Sequence, residues 1–416
     1  MNLKILDSND KNSNNKDLSL KNNTIMKDLA IFGGVPTFTQ SLCVNRPHIG
    51  IKQNYYKRLD AMFDSRIFTN DGPYVKELEK KIAHFLNVKH CILTCNGTMA
   101  LQLICKALDL KGEVILPSFT FIATAHALEW QGLTPVFCDI NTNTHNIDPE
   151  SCLELINEKT AAILGVHLWG NGCCVNELET IAREHDIKLF FDAAHAFGCS
   201  YQNRPIGGFG DAEAFSFHAT KAFSTFEGGA VTTNNDDLAN RIKNFRNFGF
   251  IDYDCVDGLG INAKMPEVCA AMGLTNLEQF EETVQQNKKT HDHYLKYLHE
   301  IKGLSVMNYT EESNYQYVVV EVDKELLGVS RDELLMALHA ENILVRKYFY
   351  PGCHNMEPYI SRAKSNQNNL SSTEHLAQKL LVFPSGFGIS KTVIKEIVNT
   401  IEIISNLSTE VKTHFS

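Results

Sequence analysis

Short apolar runs alternate with segments of helical periodicity between residues 87 and 233. The runs contain almost no polar side chains, which is typical of strands that are buried on both faces. They lie at 91–94, 113–116, 135–138, 162–166, 188–191 and 214–217. Each run is followed by polar or small residues. The pattern predicts a large, mostly parallel sheet with helices on its faces, and such sheets bind ligands at the carboxyl ends of their strands.

The C-terminal part of the chain has a different pattern. A helical stretch over 266–300 predicts one long helix, and an alternating segment at 315–322 predicts a strand. Ser330 and Glu333 have the spacing of a capping box in front of a further helix. These elements predict a smaller α+β domain behind the large one.

Domain boundaries follow from these patterns. We predict a large α/β domain with an N-terminal arm at 28–280, and a linker helix with a small domain at 281–416. Residues 1–27 are rich in Asn, Lys, Asp and Ser, so they offer little surface to bury and are predicted to be disordered. The chain has 416 residues, of which 44% are hydrophobic, which is enough for a substantial core.

Composition excludes several classes of function. The formal net charge of −10 argues against non-specific nucleic-acid binding, which needs a basic surface. No segment has the apolar length of a membrane span, and the polar start lacks the apolar core of a signal peptide. The twelve cysteines form no CxxC pair and no cluster with zinc-ligand spacing. We therefore expect no metal site and a cytoplasmic protein with reduced cysteines.

A glycine-containing turn follows the first predicted strand. Gly97 permits a tight turn at Asn96-Gly97-Thr98, and apolar residues continue at helical spacing from Met99 onward. The free N–H groups and the dipole at the start of a helix form a phosphate site. The same turn is also compatible with a simple helix cap, and both interpretations stay open on this motif alone.

Two charged residues follow later strands. Asp192 comes directly after the run at 188–191, where a desolvated carboxylate needs a positive partner or hydrogen-bond donors. It fits either a helix N-cap or the partner of a protonated heterocyclic nitrogen. Lys221 lies just past the run at 214–217. Burial there would lower the pKa of its amine and make it nucleophilic, unless the side chain extends out to solvent.

These three features together predict one kind of site. A phosphate site at Thr98, a carboxylate at Asp192 and an amine at Lys221 lie on successive strand ends of the same predicted sheet. Pyridoxal 5′-phosphate (PLP) requires all three groups: one for its phosphate, one for its ring nitrogen and one for its aldehyde.

Several blocks of the sequence resemble the DegT/DnrJ/StrS family of sugar aminotransferases. The blocks are Asn96-Gly-Thr-Met-Ala-Leu, Pro117-Ser-Phe-Thr-Phe-Ile-Ala-Thr, Val166-His-Leu-Trp-Gly, Phe191-Asp-Ala-Ala-His-Ala-Phe-Gly, Phe215-Ser-Phe-His-Ala-Thr-Lys and Glu227-Gly-Gly. The resemblance extends from about Ala30 to Leu407. It implies the type I fold of PLP-dependent transferases, in which a large domain has a mixed, mostly parallel sheet and a smaller C-terminal domain is α+β. It also implies a homodimer with active sites at the subunit interface.

The resemblance also implies roles for the matching residues. Lys221 would bind PLP as a Schiff base, Asp192 would pair with the pyridinium nitrogen, and His195 would complete the catalytic set. The remaining cofactor contacts would be Thr98, Met99 and Ser216 at the phosphate, Phe121 stacked on the ring, and Asn262, which would reach the phosphate in the other subunit. Ile261 and Ala263 replace two aromatic residues of the block around Asn262. Phe121 also fits a core position, and His195 a residue that only bonds a neighbouring strand.

Further matches concern the substrate. The implied substrate contacts are Asn70, Gly72, His218, Arg346, Tyr348 and Tyr350. The blocks are most similar to those of enzymes that form 4-amino-4,6-dideoxyglucose (viosamine) nucleotides. The implied reaction transfers an amino group from glutamate to a 4-keto-6-deoxysugar that is linked to TDP or UDP.

Three other functions remain open from the sequence. A nucleotide-sugar 3-aminotransferase and a desulfurase-like or amino-acid-only transaminase would use the same cofactor. A PLP-binding regulator that has lost catalysis would need a DNA-binding domain, which residues 1–27 are too polar to form. Family members that carry His in place of the lysine act as dehydratases, and Lys221 argues against that branch.

Overall fold

The strands and helices come from a computed structural model that describes residues 29–309, 312–362 and 369–416. The strands are β1 (Leu42–Cys43), β2 (His90–Thr94), β3 (Glu113–Pro117), β4 (Thr134–Cys138), β5 (Thr160–Val166), β6 (Lys188–Asp192), β7 (Ser200–Tyr201), β8 (Arg204–Pro205), β9 (Ala212–Ser216), β10 (Gly229–Thr233), β11 (Phe250–Asp252), β12 (Cys255–Val256), β13 (Leu304–Val306), β14 (Val318–Val322), β15 (Ile343–Leu344) and β16 (Leu380–Phe383). The helices are α1 (Lys52–Ser65), α2 (Pro73–Phe85), α3 (Gly97–Ala107), α4 (Ile122–Glu129), α5 (Pro149–Glu154), α6 (Val175–Glu184), α7 (Asp236–Arg246), α8 (Glu267–Leu277), α9 (Phe280–Leu298), α10 (Lys324–Leu327), α11 (Arg331–Ala340), α12 (Tyr359–Arg362), α13 (Ser371–Ala377), α14 (Lys391–Asn406) and α15 (Ser408–Phe415).

Seven of the described strands form the central sheet, in the order β2-β10-β9-β6-β5-β3-β4. β10 runs antiparallel to both of its neighbours, and the pairs among the other strands are parallel. All six predicted strands are present. β10 was not among them, and it makes the sheet mixed.

Two apolar layers cover the faces of this sheet. Successive strand residues alternate between them: Leu93 belongs to the layer with α2, α6 and α8, whereas Ile92 belongs to the layer with α3, α4 and α7. Because both faces are buried, the strands need apolar side chains at every position, which explains the continuous apolar runs in the sequence.

A second core lies in the C-terminal part. β14 pairs with β13 and β16 in an antiparallel sheet, and its apolar side chains pack with those of α9, α11 and α14. Leu29, Phe38 and Leu42 of the N-terminal arm belong to the same core. The N-terminal arm thus packs on the small domain. The domain boundary at residue 280 stays a prediction.

Two elements differ from their predicted bounds. The helix predicted over 266–300 is divided into α8 and α9. The break lies at Gln279, which has a non-helical backbone conformation (φ −122°, ψ 12°) and is the N-cap of α9. The strand predicted at 315–322 begins only at Val318. Tyr315 has a positive φ of 50°, and the N–H groups of Asn314 and Tyr315 donate to the Cys199 sulfur and the Ser313 hydroxyl instead of to a neighbouring strand. The capping box at Ser330 and Glu333 is confirmed.

Other expectations concern the chain as a whole. The twelve cysteines are all free thiols, and no group of metal-ligating side chains occurs within the described ranges. The helices of these ranges include none with the length and apolar character that crossing a membrane requires. The predicted disordered tract, 1–27, lies outside the described residues.

Candidate active site

A cavity of about 520 Å³ opens at the carboxyl edge of the central sheet. Val166, Asp192 and Ser216, the last residues of β5, β6 and β9, line it. The start of α3 closes one side, and Tyr317 and Arg346 approach from the small domain. The volume is in the range of small-molecule sites. The sheet topology thus brings together the strand ends from which the sequence predicted a site.

Asp192 is a buried carboxylate held by two donors. The Thr124 hydroxyl donates to its Oδ2 at 2.8 Å, and the Ala194 N–H donates to its Oδ1 at 3.0 Å. Burial raises the pKa of Asp192, while these hydrogen bonds and the Lys221 charge act in the opposite direction. A carboxylate in this position needs a positive partner, such as a protonated ring nitrogen.

Lys221 lies in the loop after β9, and its amine shares the cavity with Asp192. Its Nζ donates to the hydroxyl of Tyr317 at 3.3 Å. Burial lowers the pKa of Lys221 to about 8, and the Asp192 carboxylate offsets part of this effect. Much more of the amine is therefore neutral near physiological pH than in an ordinary lysine, and the neutral form attacks carbonyl carbons.

His195 is a buried, neutral imidazole. Burial and the nearby Lys221 charge hold its pKa well below the usual value. The Trp169 N–H donates to Nδ1 at 3.3 Å, so the neutral tautomer carries its proton on Nε2. The ring stacks on Trp169, with their centroids 5.9 Å apart. His195 can therefore donate one hydrogen bond into the cavity.

The backbone packs closely at the predicted phosphate site. A Cβ on Gly97 would lie 2.9 Å from the Cβ of Ser216, and one on Gly229 would lie 2.6 Å from the backbone carbon of Asn96. Glycine at both positions lets the start of α3 lie against the end of β9 and the start of β10. Thr98 and Ser216 both line the cavity. The Met99 N–H instead donates to the Asn96 side chain at 2.8 Å, and Met99 does not line the cavity.

Four other predicted residues line the cavity: Phe121, His218, Arg346 and Tyr348. Phe121 is 56% exposed, so it is a cavity wall and not part of the core. The Arg346 guanidinium lies 5.7 Å from the centre of the Tyr348 ring. His218 and Glu227 approach within 3.6 Å of each other at the rim.

The remaining predicted residues do not line the cavity of their own chain. Tyr350 packs against Arg331, whose guanidinium lies 5.0 Å from the centre of the Tyr350 ring. Gly72 is the N-cap of α2. Asn70 and Asn262 are both exposed. Arg246 lies next to both of them, through a residue that neighbours each. Its Nη2 donates to Asp71 at 2.8 Å, and its neighbour Asn247 forms a bridge with Asn262.

The comparison with family models identifies the chain. Residues 50–402 match the DegT/DnrJ/EryC1/StrS aminotransferase family. The chain belongs to this family. It is 37% identical, over 87% of its length and 98% of the relative, to a dTDP-4-amino-4,6-dideoxy-D-glucose transaminase from Shigella dysenteriae.

Solved structures agree with this assignment. The structure of DesI, analysed in the presence of its TDP-sugar product, has 43% identity and a TM-score of 0.89, and covers 94% of this chain and 99% of its own. Helicobacter pylori PseC, an aminotransferase involved in the biosynthesis of pseudoaminic acid, has 26% identity and a TM-score of 0.81, with 87% of this chain and 98% of its own covered. The predicted fold class and the predicted aminotransferase activity are confirmed.

The residues of this DegT-family cavity fit PLP, and family membership confirms the cofactor prediction. Because Gly97 has no Cβ, the start of α3 can lie close to Ser216. Thr98 and Ser216 line the cavity there, and backbone and hydroxyl donors at a helix start can bind a phosphate. Asp192 is an acceptor for a protonated ring nitrogen, and Lys221 is an amine for the aldehyde. Thr98, Ser216, Asp192 and Lys221 would hold the group.

Sequence reasoning missed two residues of the small domain, Gln316 and Tyr317. Tyr317 bonds to Lys221, and Gln316 bonds to the backbone on both sides of it. Neither residue lies in a block that resembles the family. The available signal in the sequence was that two residues with polar groups, Gln316 and Tyr317, directly precede the apolar run that begins at Val318.

Proposed function

We propose that the protein transfers the amino group of glutamate to C4 of a TDP-linked 4-keto-6-deoxysugar. The observation that carries the chemistry is the pairing of the buried Asp192 carboxylate with the low-pKa Lys221 amine in one cavity. The printed names of the relatives support the sugar: both a transaminase from Shigella dysenteriae and one from Escherichia coli act on dTDP-4-amino-4,6-dideoxy-D-glucose.

Each side chain of the cavity has a task in this reaction. When bound, PLP supplies an electron sink and carries the amino group from one substrate to the other. Asp192 keeps a proton on the ring nitrogen by pairing with it. Thr98 and Ser216 bind the phosphate. His195 donates from Nε2, since its Nδ1 already accepts the Trp169 N–H.

Lys221 moves the proton. Its amine, once released by the incoming amino donor, takes the proton from the donor carbon that bears the nitrogen, and returns a proton at the sugar carbon in the second half of the reaction. A pKa near 8 suits both directions, because the amine then changes protonation with little cost at the working pH.

We further propose that the protein is a homodimer in the cytoplasm. Exposed apolar side chains cluster at the end of α1 and in the β11–β12 hairpin: Phe63, Ile67, Phe68, Phe250, Ile251 and Val256. Exposed apolar surface of this kind favours a subunit interface. Asn70 and Asn262 would then face the partner's cavity. Sedimentation equilibrium tests the dimer, and a monomer would refute it.

The cytoplasmic location is supported by the free thiols, which fit a reducing compartment.

The substrate is tested with the purified protein, PLP and glutamate. Incubation with TDP- and UDP-linked 4-keto-6-deoxysugars, and with a TDP-linked 3-keto-6-deoxysugar, should yield 2-oxoglutarate and one amino sugar. We expect the TDP-linked 4-keto compound to react at least about tenfold faster in kcat/KM than the 3-keto compound, a difference of about 1.4 kcal/mol in transition-state binding. NMR of the product locates the nitrogen. A nitrogen on C3, or turnover of amino acids alone, would contradict the proposal.

A further inference from the structure

Residues 314–317 of the small domain contact the loop that carries Lys221. The Gln316 side chain accepts from the Ala222 N–H at 2.7 Å and donates to the Thr220 carbonyl at 3.3 Å. Both peptide groups that flank Lys221 are therefore fixed by one side chain. The Tyr317 hydroxyl, next along the chain, lies 3.3 Å from the Lys221 amine.

The same segment is itself held firmly. The Asn314 amide donates to the carbonyls of His195 and Phe197 at 2.9 and 3.1 Å, and its Oδ1 accepts from the Gln316 N–H at 3.1 Å. The Ser385 hydroxyl donates to the Gln316 carbonyl at 2.9 Å. The segment thus connects the loop after Asp192 with the loop of Lys221.

Aromatic packing leaves Tyr317 little freedom. Its side chain is 3% exposed, and its ring lies 4.5 Å from that of His195 and 5.4 Å from that of Trp169, measured between centroids. The packing of its ring therefore holds the phenol oxygen of Tyr317 in one place.

We propose that Tyr317 is a positioning residue for Lys221: its hydroxyl holds the amine in the cavity, and Gln316 holds the backbone from which the amine extends. The inference rests on the proposed function, in which Lys221 must be released and then return a proton to substrate carbon. A fixed hydrogen-bond partner limits the orientations of the free amine, and orientation contributes directly to rate.

The hydroxyl also affects the protonation of the amine. Burial raises the pKa of Tyr317 well above its usual value, so the phenol stays protonated and its oxygen accepts from the ammonium group. This hydrogen bond favours the charged lysine. The other titratable or charged residues that line the cavity are Cys43, Asp192, His195, His218, Glu227, Arg346 and Tyr348.

Tyr317→Phe tests the proposal, because it removes the hydroxyl and keeps the ring. Tyr309→Phe is the matched control: it removes a buried hydroxyl that bonds to the same segment but not to Lys221. In the PLP-free protein, the pH dependence of Lys221 acetylation by acetic anhydride, followed by mass spectrometry, gives the pKa of the amine. We expect the midpoint to fall by about 1 pH unit in Tyr317→Phe and to be unchanged in Tyr309→Phe.

A second readout uses the PLP-loaded protein and glutamate without any sugar. The single-turnover rate should fall about tenfold in Tyr317→Phe, with a larger isotope effect for α-deuterated glutamate, and should stay within about twofold in Tyr309→Phe. If Tyr317→Phe fails to fold, Gln316→Met tests the other part of the proposal, the contact of Gln316 with the backbone on both sides of Lys221. A similar fall in rate supports the proposal, and an unchanged rate overturns it.

The role of Tyr317 and the proposed function can fail separately. An unchanged midpoint together with an unchanged rate in Tyr317→Phe overturns the role of Tyr317. A wild-type protein that does not react with glutamate overturns the proposed function, and the acetylation midpoints then still decide whether the Tyr317 hydroxyl stabilises the Lys221 ammonium.

Discussion

Lys221→Ala is expected to lower kcat by on the order of 10⁴-fold or more, because it removes both the covalent attachment point of the cofactor and the base that moves the proton. The visible absorbance that PLP acquires on attachment to the protein should disappear as well. Initial rates with glutamate and the keto sugar measure the first effect, and titration of the variant with PLP measures the second. Lys221→Arg should behave in the same way, since a guanidinium keeps the charge but stays protonated.

Lys188→Ala is the matched control for this change. Lys188 begins β6, the strand that ends at Asp192, and its side chain is about half exposed. It does not line the cavity, so its loss should leave turnover and cofactor absorbance unchanged. A Lys221→Ala protein that turns over at the wild-type rate would end the proposed mechanism.

Asp192→Asn is expected to lower kcat by about 10²–10³-fold, the usual effect of removing one fixed electrostatic partner from a reacting centre. Asparagine has nearly the same shape: its Oδ1 can still accept the Ala194 N–H, and its NH2 group can donate to the Thr124 oxygen in a reversed hydrogen bond. It lacks the negative charge that keeps a proton on the ring nitrogen. Affinity for PLP should fall less than the rate does, because Thr98, Ser216 and Lys221 remain.

Asp211→Asn provides the comparison for Asp192. Asp211 lies near the opposite end of β6, where its carboxylate accepts the Leu189 N–H at 3.0 Å. The change removes a negative charge beside the same strand, at a position that does not line the cavity. Equal losses of kcat in the two variants would mean that Asp192 acts through stability alone, and the pairing with the ring nitrogen would be wrong.

The central sheet and the main site residues could be predicted because their signals are local. An apolar run followed directly by a carboxylate at Asp192, or by an amine near Lys221, marks a strand end, and parallel strand ends meet at one edge of a sheet. β10 escaped prediction, because an antiparallel strand that follows two glycines gives no helical segment before it.

Other features depend on contacts between distant parts of the chain. Gln316 and Tyr317 are separated from Lys221 by about ninety-five residues, and no periodicity indicates that a strand from one domain reaches a loop of the other. Asn70 and Asn262 illustrate a related problem. Their sequence blocks predict contact with a ligand, but neither residue lines the cavity of its own chain, which is what the proposed homodimer would explain.

The position of the cofactor on the chain provides the most direct test. The protein is loaded with PLP, reduced with sodium borohydride so that the attachment becomes permanent, digested, and analysed by mass spectrometry. The account predicts a single pyridoxyl group on Lys221. A pyridoxyl group on another lysine, or an unmodified Lys221 in a protein that still transfers amino groups, would contradict it.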